Sequence, residues 1–311
     1  MKTIEKLKRT VKMGFIPALL FVTTIAFTSC NNDDEPAMDE KNVVEVAAEA
    51  GNFNILIQAA QKAGLADFLS TQNGITVFAP TDAAFRALLT DLGASSLDDL
   101  PVETLKKVLM YHVIGQKVMS PELKTGYYPT LAKMADNSIS IYINVNMGVA
   151  INKNVKVTAA NIEASNGVIH VIDKVILPPS VVNIALDNDN FSILVQAVVK
   201  AGLVEALNGN GPFTVFAPTN EAFNNLFAQL GISGIDALTA EQLIPILTYH
   251  VVSGNVLSSA LTNGNVPTLN PGKSLNVNLT GGVKINDSEV VVADIQGANG
   301  VVHVINKVLL P

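Results

Sequence analysis

The feature that most constrains this chain is that it carries the same message twice. Thr76–Phe85 reads TVFAPTDAAF and Thr214–Phe223 reads TVFAPTNEAF. Each begins with a β-branched and aromatic run suited to a buried strand, reaches a proline, and continues with Thr and an acidic residue as a helix start does. The pattern predicts a strand, a tight corner and a helix. Pro80 and Pro218 lack the N–H that a continuing ladder would use, and Thr81 and Thr219 stand where a side-chain oxygen can cap the free amides of the next helix. Asp82 and Glu221 fall in its first turn, where the helix dipole favours negative charge.

Further echoes lie at the same 138-residue offset: Val43-Val44 with Val181-Val182, Asn52-Phe53 with Asn190-Phe191, Ala63-Gly64-Leu65 with Ala201-Gly202-Leu203, and Tyr111-His112-Val113 with Tyr249-His250-Val251. A third block, NGVIHVIDKVILP at Asn166–Pro178, returns as NGVVHVINKVLLP at Asn299–Pro311, now offset by 133, so the second copy has lost five residues in between. Solenoid repeats run to about 20–50 residues. A period this long is a duplicated domain, and the copies are assigned to residues 42–178 and 179–311.

The order TVFAPT, Tyr-His, NGVxHVIxKVLLP, found twice, resembles the fasciclin (FAS1) domain. The resemblance implies an α+β fold: two tandem modules, each of two packed β-sheets with a cluster of helices on one side, of a kind used mostly in extracellular adhesion and matrix proteins. In matrix members that engage integrins, an Asp-Ile before the Asn-Gly and the Tyr-His region are implicated. Asp294-Ile295 matches the first, and Tyr249-His250 and Tyr111-His112 match the second, which makes these six residues candidates for partner binding. The first copy departs from the pattern, with Asn161-Ile162 in place of Asp-Ile. The same residues also admit a purely structural reading, with Ile295 in the core and Tyr249 hydrogen-bonding between helix and sheet.

The N-terminus reads as an export signal. Lys2, Lys6, Lys8, Arg9 and Lys12 precede an apolar stretch, Met13–Phe27, that is shorter than the roughly 20 residues a bilayer span needs. Cys30, the only cysteine, follows directly, and Phe27-Thr28-Ser29-Cys30 resembles a bacterial lipoprotein signal of the type found in Bacteroidetes. Residues 1–29 are expected to be removed and Cys30 lipidated, anchoring the chain to a membrane. The acidic run Asn31–Lys41 reads as a solvated tether, and Asp33-Asp34-Glu35 resembles a surface-export signal. Removal of residues 1–29 takes away five basic residues and one acid, leaving 15 basic against 26 acidic, a net of −11. Nucleic acid is excluded as a partner, because phosphate binding relies on Lys and Arg.

Within each copy the helical spacing lies in the first half. Phe53, Leu56, Ile57, Ala60, Phe68 and Leu69 share one helix face, interrupted at Gly64. Leu105, Val108, Leu109 and His112 mark another helix. The second half has period two. In SISIYINVN, Ser138–Asn146, the Ile residues and Val145 alternate with polar positions, which predicts a strand with one buried face. Ala150–Val157 is expected to return beside it, Asn166-Gly167 to form a turn, and Val168–Leu177 to be the last strand.

All four histidines, His112, His170, His250 and His303, belong to the repeat. None has the neighbours of an HExxH-type ligand set, and Asp173, near His170, is replaced by Asn306 near His303. They are read as buried hydrogen-bonding residues, with no metal, cofactor or catalytic residue assigned. No Gly-rich phosphate loop or GxSxG elbow is present. The expected function is a non-catalytic adhesion protein, lipid-anchored at the outer membrane, exposed at the surface, and presenting its modules to extracellular protein or polysaccharide. The alternative is a binding module for a lipid or other apolar small ligand.

Overall fold

The structure, a computed structural model, describes residues Glu40–Pro311. The expectations for the signal peptide, for Cys30 and for most of the tether lie outside the described residues.

In the first module α1 (Val43–Ala50), α2 (Asn54–Lys62) and α3 (Ala66–Thr71) precede β1 (Ile75–Pro80), and α4 (Asp82–Asp91) and α5 (Val102–Tyr111) follow it. Then come β2 (Val113–Ile114), β3 (Gly126–Met134), β4 (Asn137–Asn144), β5 (Ala150–Ile151), β6 (Val155–Ala164) and β7 (Gly167–Ile172). The second module repeats this order as α6 (Val181–Leu186), α7 (Ser192–Lys200), α8 (Val204–Asn208), β8 (Phe213–Pro218), α9 (Asn220–Leu230), α10 (Ala240–Tyr249), β9 (Val251–Ser253), β10 (Gly264–Pro267), β11 (Ser274–Asn278), β12 (Lys284–Ile285), β13 (Ser288–Gln296) and β14 (Gly300–Ile305).

The strand–corner–helix reading holds in both places. Thr81 Oγ1 accepts from the Ala84 N–H at 3.3 Å and Thr219 Oγ1 from Ala222 at 3.2 Å, capping α4 and α9. Asp82 does more than complement a dipole. Its carboxylate accepts from the Ile55 N–H and the Asn54 side chain, tying α4 to α2, and Asn220 makes the matching bond to Ile193. Gly64 and Gly202, at φ +66° and +68°, turn the chain between successive helices through a left-handed conformation that favours glycine.

The first seven strands run in sequence order around a closed barrel, sealed by the parallel pairing of β1 with β7 from Ile75↔Gly167 to Pro80↔Ile172. The second module keeps the parallel pair, β8 with β14, but its sheet is open, in the order β10-β11-β12-β13-β14-β8-β9. Register shifts in β3, β6 and β13 bend these strands, so one continuous ribbon supplies the two packed sheets. β1 and β7 are buried along their whole length. One side packs on a helix-layer core that includes Phe85, Leu105 and Leu109; the other faces a barrel-interior core that includes Phe78, Ile139, Ile141 and Ile143. Each such side chain contributes about 1.5–3 kcal/mol by burial, which is why these strands read as continuous apolar runs.

Three expectations need correction. The strand at Ser138–Asn146 is β4, and both its faces are buried: the Ile side enters the barrel, while Ser140 and Tyr142 are covered as well, because the second module lies against them. Ala150–Val157 is not one strand but β5, a turn at 152–154, and the start of β6. The last strand stops at Ile172, and the following segment leaves the sheet to pass His112, whose Nε2 accepts the Ile176 N–H.

Most of the five missing residues come from one hairpin. Gly126 and Gly264 are equivalent at offset 138, while Ile143 and Val277, the facing positions on the next strands, are equivalent at offset 134. The β3–β4 hairpin of the first module is therefore the longer one.

Candidate functional site

The Tyr-His segments end α5 and α10 and turn directly into β2 and β9. Tyr111 is fully buried, donating from its hydroxyl to Ser140 O at 3.1 Å and accepting from the Asn152 amide at 3.0 Å. Tyr249 does the same with Ser274 O and Asn286. Burial pushes the Tyr111 phenol well up, so it stays protonated. His112 Nδ1 donates to Val108 O at 2.8 Å and Nε2 accepts from Ile176; His250 repeats this with Ile246 O and the Leu309 N–H. A ring that must accept at one nitrogen is neutral, and burial holds both histidines down at about 4.

His170 and His303 stand in the centres of β7 and β14. Each Nε2 donates, to Val118 O and Val256 O, while each Nδ1 accepts, from the Asn161 and Asp294 N–H groups. Their rings lie 5.7 and 5.5 Å from those of Phe78 and Phe216, the central aromatics of the neighbouring parallel strands. Both nitrogens of all four rings are thus engaged inside the fold.

The Asp-Ile segment lies where β13 is bulged. Asp294 and its counterpart Asn161 sit at φ +63° and +61°, a left-handed conformation in which Asn and Asp are enriched. Each side chain reaches a serine across the loop: Asn161 accepts from the Ser120 N–H at 2.7 Å, and Asp294 from the Ser258 N–H at 2.7 Å and the Ser258 hydroxyl. This geometry explains why either residue fits. Ile295 is 1% exposed and packs in the helix-layer core. Of the six candidate residues only Asp294 reaches solvent, with 39% of its side chain exposed.

Two sets of polar residues carry more of the architecture than the sequence reading assigned them. Asn166 and Asn299 are not simply turn residues. Asn166 Oδ1 accepts from the Val43 N–H at the start of α1, and its amide donates to Leu69 O and Gln72 O at the end of α3; Asn299 bonds Val181, Leu207 and Gly209 in the same way. Thr76 and Thr214 each donate to a carbonyl, of Gln116 and Gly254, and accept from Val118 and Val256, pinning the segment after β2 or β9.

The modules also differ in a cavity between α6, α7 and α10 and the sheet. It measures about 110 Å³, is walled by Val182, Leu194, Val198, Val215 and Leu247, and has His250 as its one polar side chain. The same place in the first module, beside His112, holds only about 40 Å³. At the mouth Leu186 and Val199 are 44% and 60% exposed, where the first module has Ala48 and Gln61.

Asp187, just beyond α6, lies half-buried near Tyr127, with burial pushing its carboxyl up to about 6 and Lys153 pulling it down. The folded value exceeds the unfolded one, so the destabilisation appears as pH rises from about 4 to about 6. Asp187→Asn is expected to raise stability at pH 7 by about 1 kcal/mol, discounted for partial exposure, and to give no gain at pH 3.5. Paired denaturant titrations at the two pH values check this.

Comparison with known proteins places the chain. The profile of the Fasciclin domain matches residues 51–178 and again 189–311. Protein sll1483 of Synechocystis sp. is 45% identical over 133 residues, covering 42% of this chain and 73% of its own length. Transforming growth factor-beta-induced protein ig-h3 of Sus scrofa is 30% identical over 278 residues, 87% of this chain but 39% of its own length. Periostin of Homo sapiens is 30% identical over 254 residues, 79% of this chain and 29% of its own length. The chain therefore spans well under half of these last two relatives. Among solved structures, a FAS1 domain pair from the insect cell adhesion molecule Fasciclin I superposes with a TM-score of 0.51 at 18% identity, covering 85% of this chain and 98% of its own. That likeness speaks for the fold. With the domain matched twice and the same elements built twice, the chain belongs to the fasciclin domain family as a tandem pair.

Proposed function

We propose that this protein is a non-catalytic interaction protein of the cell envelope, anchored by lipid at Cys30 in the outer membrane and presenting its two modules at the cell surface to an extracellular protein or polysaccharide. The observation that carries the reading is that the repeated polar side chains, the four histidines and the two Tyr-His tyrosines, are engaged in holding strands and helices together. What the modules offer outward is surface. The match to a domain pair from an insect cell adhesion molecule points the same way. Two weakly binding modules on one chain, with many chains on one cell, gain from avidity. The test is protease treatment of intact cells followed by adhesion assays with a deletion strain. Digestion of the protein on intact cells and loss of adhesion to matrix proteins or glycans are expected; protection until lysis, or unchanged adhesion, would overturn the reading.

The cavity of the second module favours a second reading, in which it holds the end of an aliphatic chain. Its walls are apolar, and its mouth carries Leu186 and Val199 where the other module is smaller or polar. A dry cavity of this order accepts a small apolar group. Titration of the protein with cis-parinaric acid is expected to show saturable binding, weakened about tenfold by Leu186→Ala with Val199→Gln, the residues of the first module. Equal binding by the double variant would sink the idea.

A further inference from the structure

The two modules touch through unlike surfaces, and each surface has a counterpart on the other module that differs in chemistry. On the first module Tyr127 and Tyr142, facing each other across β3 and β4 with ring centroids 4.9 Å apart, form an aromatic face with Ser140 beside them. Tyr127 packs into the helix-layer core of the second module, and its hydroxyl accepts from the buried Asn188 amide at 3.1 Å. On the second module a further contact is made by Gln296, 1% exposed, whose backbone N–H donates to Ser140 Oγ at 3.1 Å and whose amide touches Met134 Sδ at 3.2 Å. Gln296 also exchanges a reciprocal pair of amide hydrogen bonds with Asn255, at 3.0 and 3.1 Å.

At the positions of Tyr127 and Tyr142 the second module has Asn265 and Asn276, an exposed pair hydrogen-bonded to each other. At the positions of Asn255 and Gln296 the first module has Lys117 and Glu163, an exposed ion pair at 3.3 Å. Covering that pair would desolvate two charges, whereas a reciprocal amide pair is satisfied inside the interface. We propose that the modules form a one-way lock, in which a tyrosine face of the first accepts an amide edge of the second, and that neither free end of the pair carries a complement for another copy. A head-to-tail contact between like domains generates rings or open filaments unless its ends are made incompatible. Here Asn265–Asn276 and Lys117–Glu163 supply the incompatibility. A partner that reads the β3–β4 type of face finds it free on the second module only, and one that reads the bulged edge finds it free on the first only.

The test uses the full chain with spin labels at exposed cysteines, one per module, placed at Asp98 and Glu241 in a Cys30→Ser background. Wild-type contacts are expected to give a single narrow distance distribution, and sedimentation at rising concentration a single monomeric species. Tyr127→Asn with Tyr142→Asn, which installs the residues the second module tolerates in solvent, is expected to lose the narrow distribution and widen it to that of modules joined only by a linker. Gln296→Glu, which installs the first module's charge, is expected to do the same from the other side. A broad wild-type distribution, an unchanged distribution in the tyrosine variant, or concentration-dependent chains of wild-type protein would each overturn the proposal. Circular dichroism of each variant separates loss of the lock from loss of the fold.

Discussion

Gly300→Ala is expected to unfold the second module at ordinary temperature, with a loss of about 3 kcal/mol or more. A Cβ there would lie 2.2 Å from the Phe213 carbonyl oxygen and 2.9 Å from the Phe213 nitrogen, both backbone atoms of the strand to which β14 pairs. No side-chain movement relieves such a clash. The parallel ladder itself would have to part, and with it the wall shared by the helix-layer core and the core on the other side of the sheet. Gly167→Ala repeats the experiment in the first module, 2.3 Å from Ile75 O. Calorimetry of the two variants checks both: each should remove or lower the transition of its own module, and an unshifted melting profile would refute the close-approach argument.

Acid is expected to be the next most damaging condition. His112 and His250 are fully buried, neutral, and held at about 4 against an ordinary value near 6.5. Because the folded values are depressed, their contribution is fully present above pH 6.5 and is lost as pH falls towards 4. Each histidine gives up on the order of 3 kcal/mol across that window, one in each module. His170 and His303 are also depressed by burial and add to the slope. Asp187 acts in the opposite sense over part of the same range, with a smaller effect. Denaturant titrations at pH 7.5, 5.5 and 4 should show a steep fall, and His250→Gln should be weaker at pH 7.5 yet show a shallower fall. A variant as pH-dependent as the parent would exclude the buried imidazole as the cause.

The strand–corner–helix unit was legible because everything that makes it is local: a proline without an N–H, a threonine within reach of an amide two or three residues on, and a glycine where the helix must turn. The inward face of β4 was legible for the same reason, since its isoleucines alternate. Its other face was not. Ser140 and Tyr142 are amphipathic residues, buried by a module that begins some 40 residues later, and no period in SISIYINVN reports that. The turn at Asn166-Gly167 is legible because Asn-Gly so often forms one, and the chain does turn there between β6 and β7. What is not legible is that the amides of Asn166 and Asn299 also join the two ends of the helix layer, contacts that span about 100 residues and leave no local trace. A comparison of the two copies position by position would have flagged the cavity mouth, where Gln61 becomes Val199, and the lock, where Glu163 becomes Gln296.

The parallel pairing of β1 with β7 also governs the order in which a module can become itself. Ile75 must wait for Gly167, and Phe213 for Gly300, so the ladder on which both cores rest closes only after nearly the whole module has been delivered. Loop closure over such a distance comes before its contacts repay it, which makes this step slow. A chain emerging from its N-terminus therefore holds the helices and the first strand of each module in waiting, with their apolar faces uncovered. The first module completes with β7 while the second is still arriving. Its tyrosine face is then a finished surface on which the second module, once its own last strand is in place, can settle.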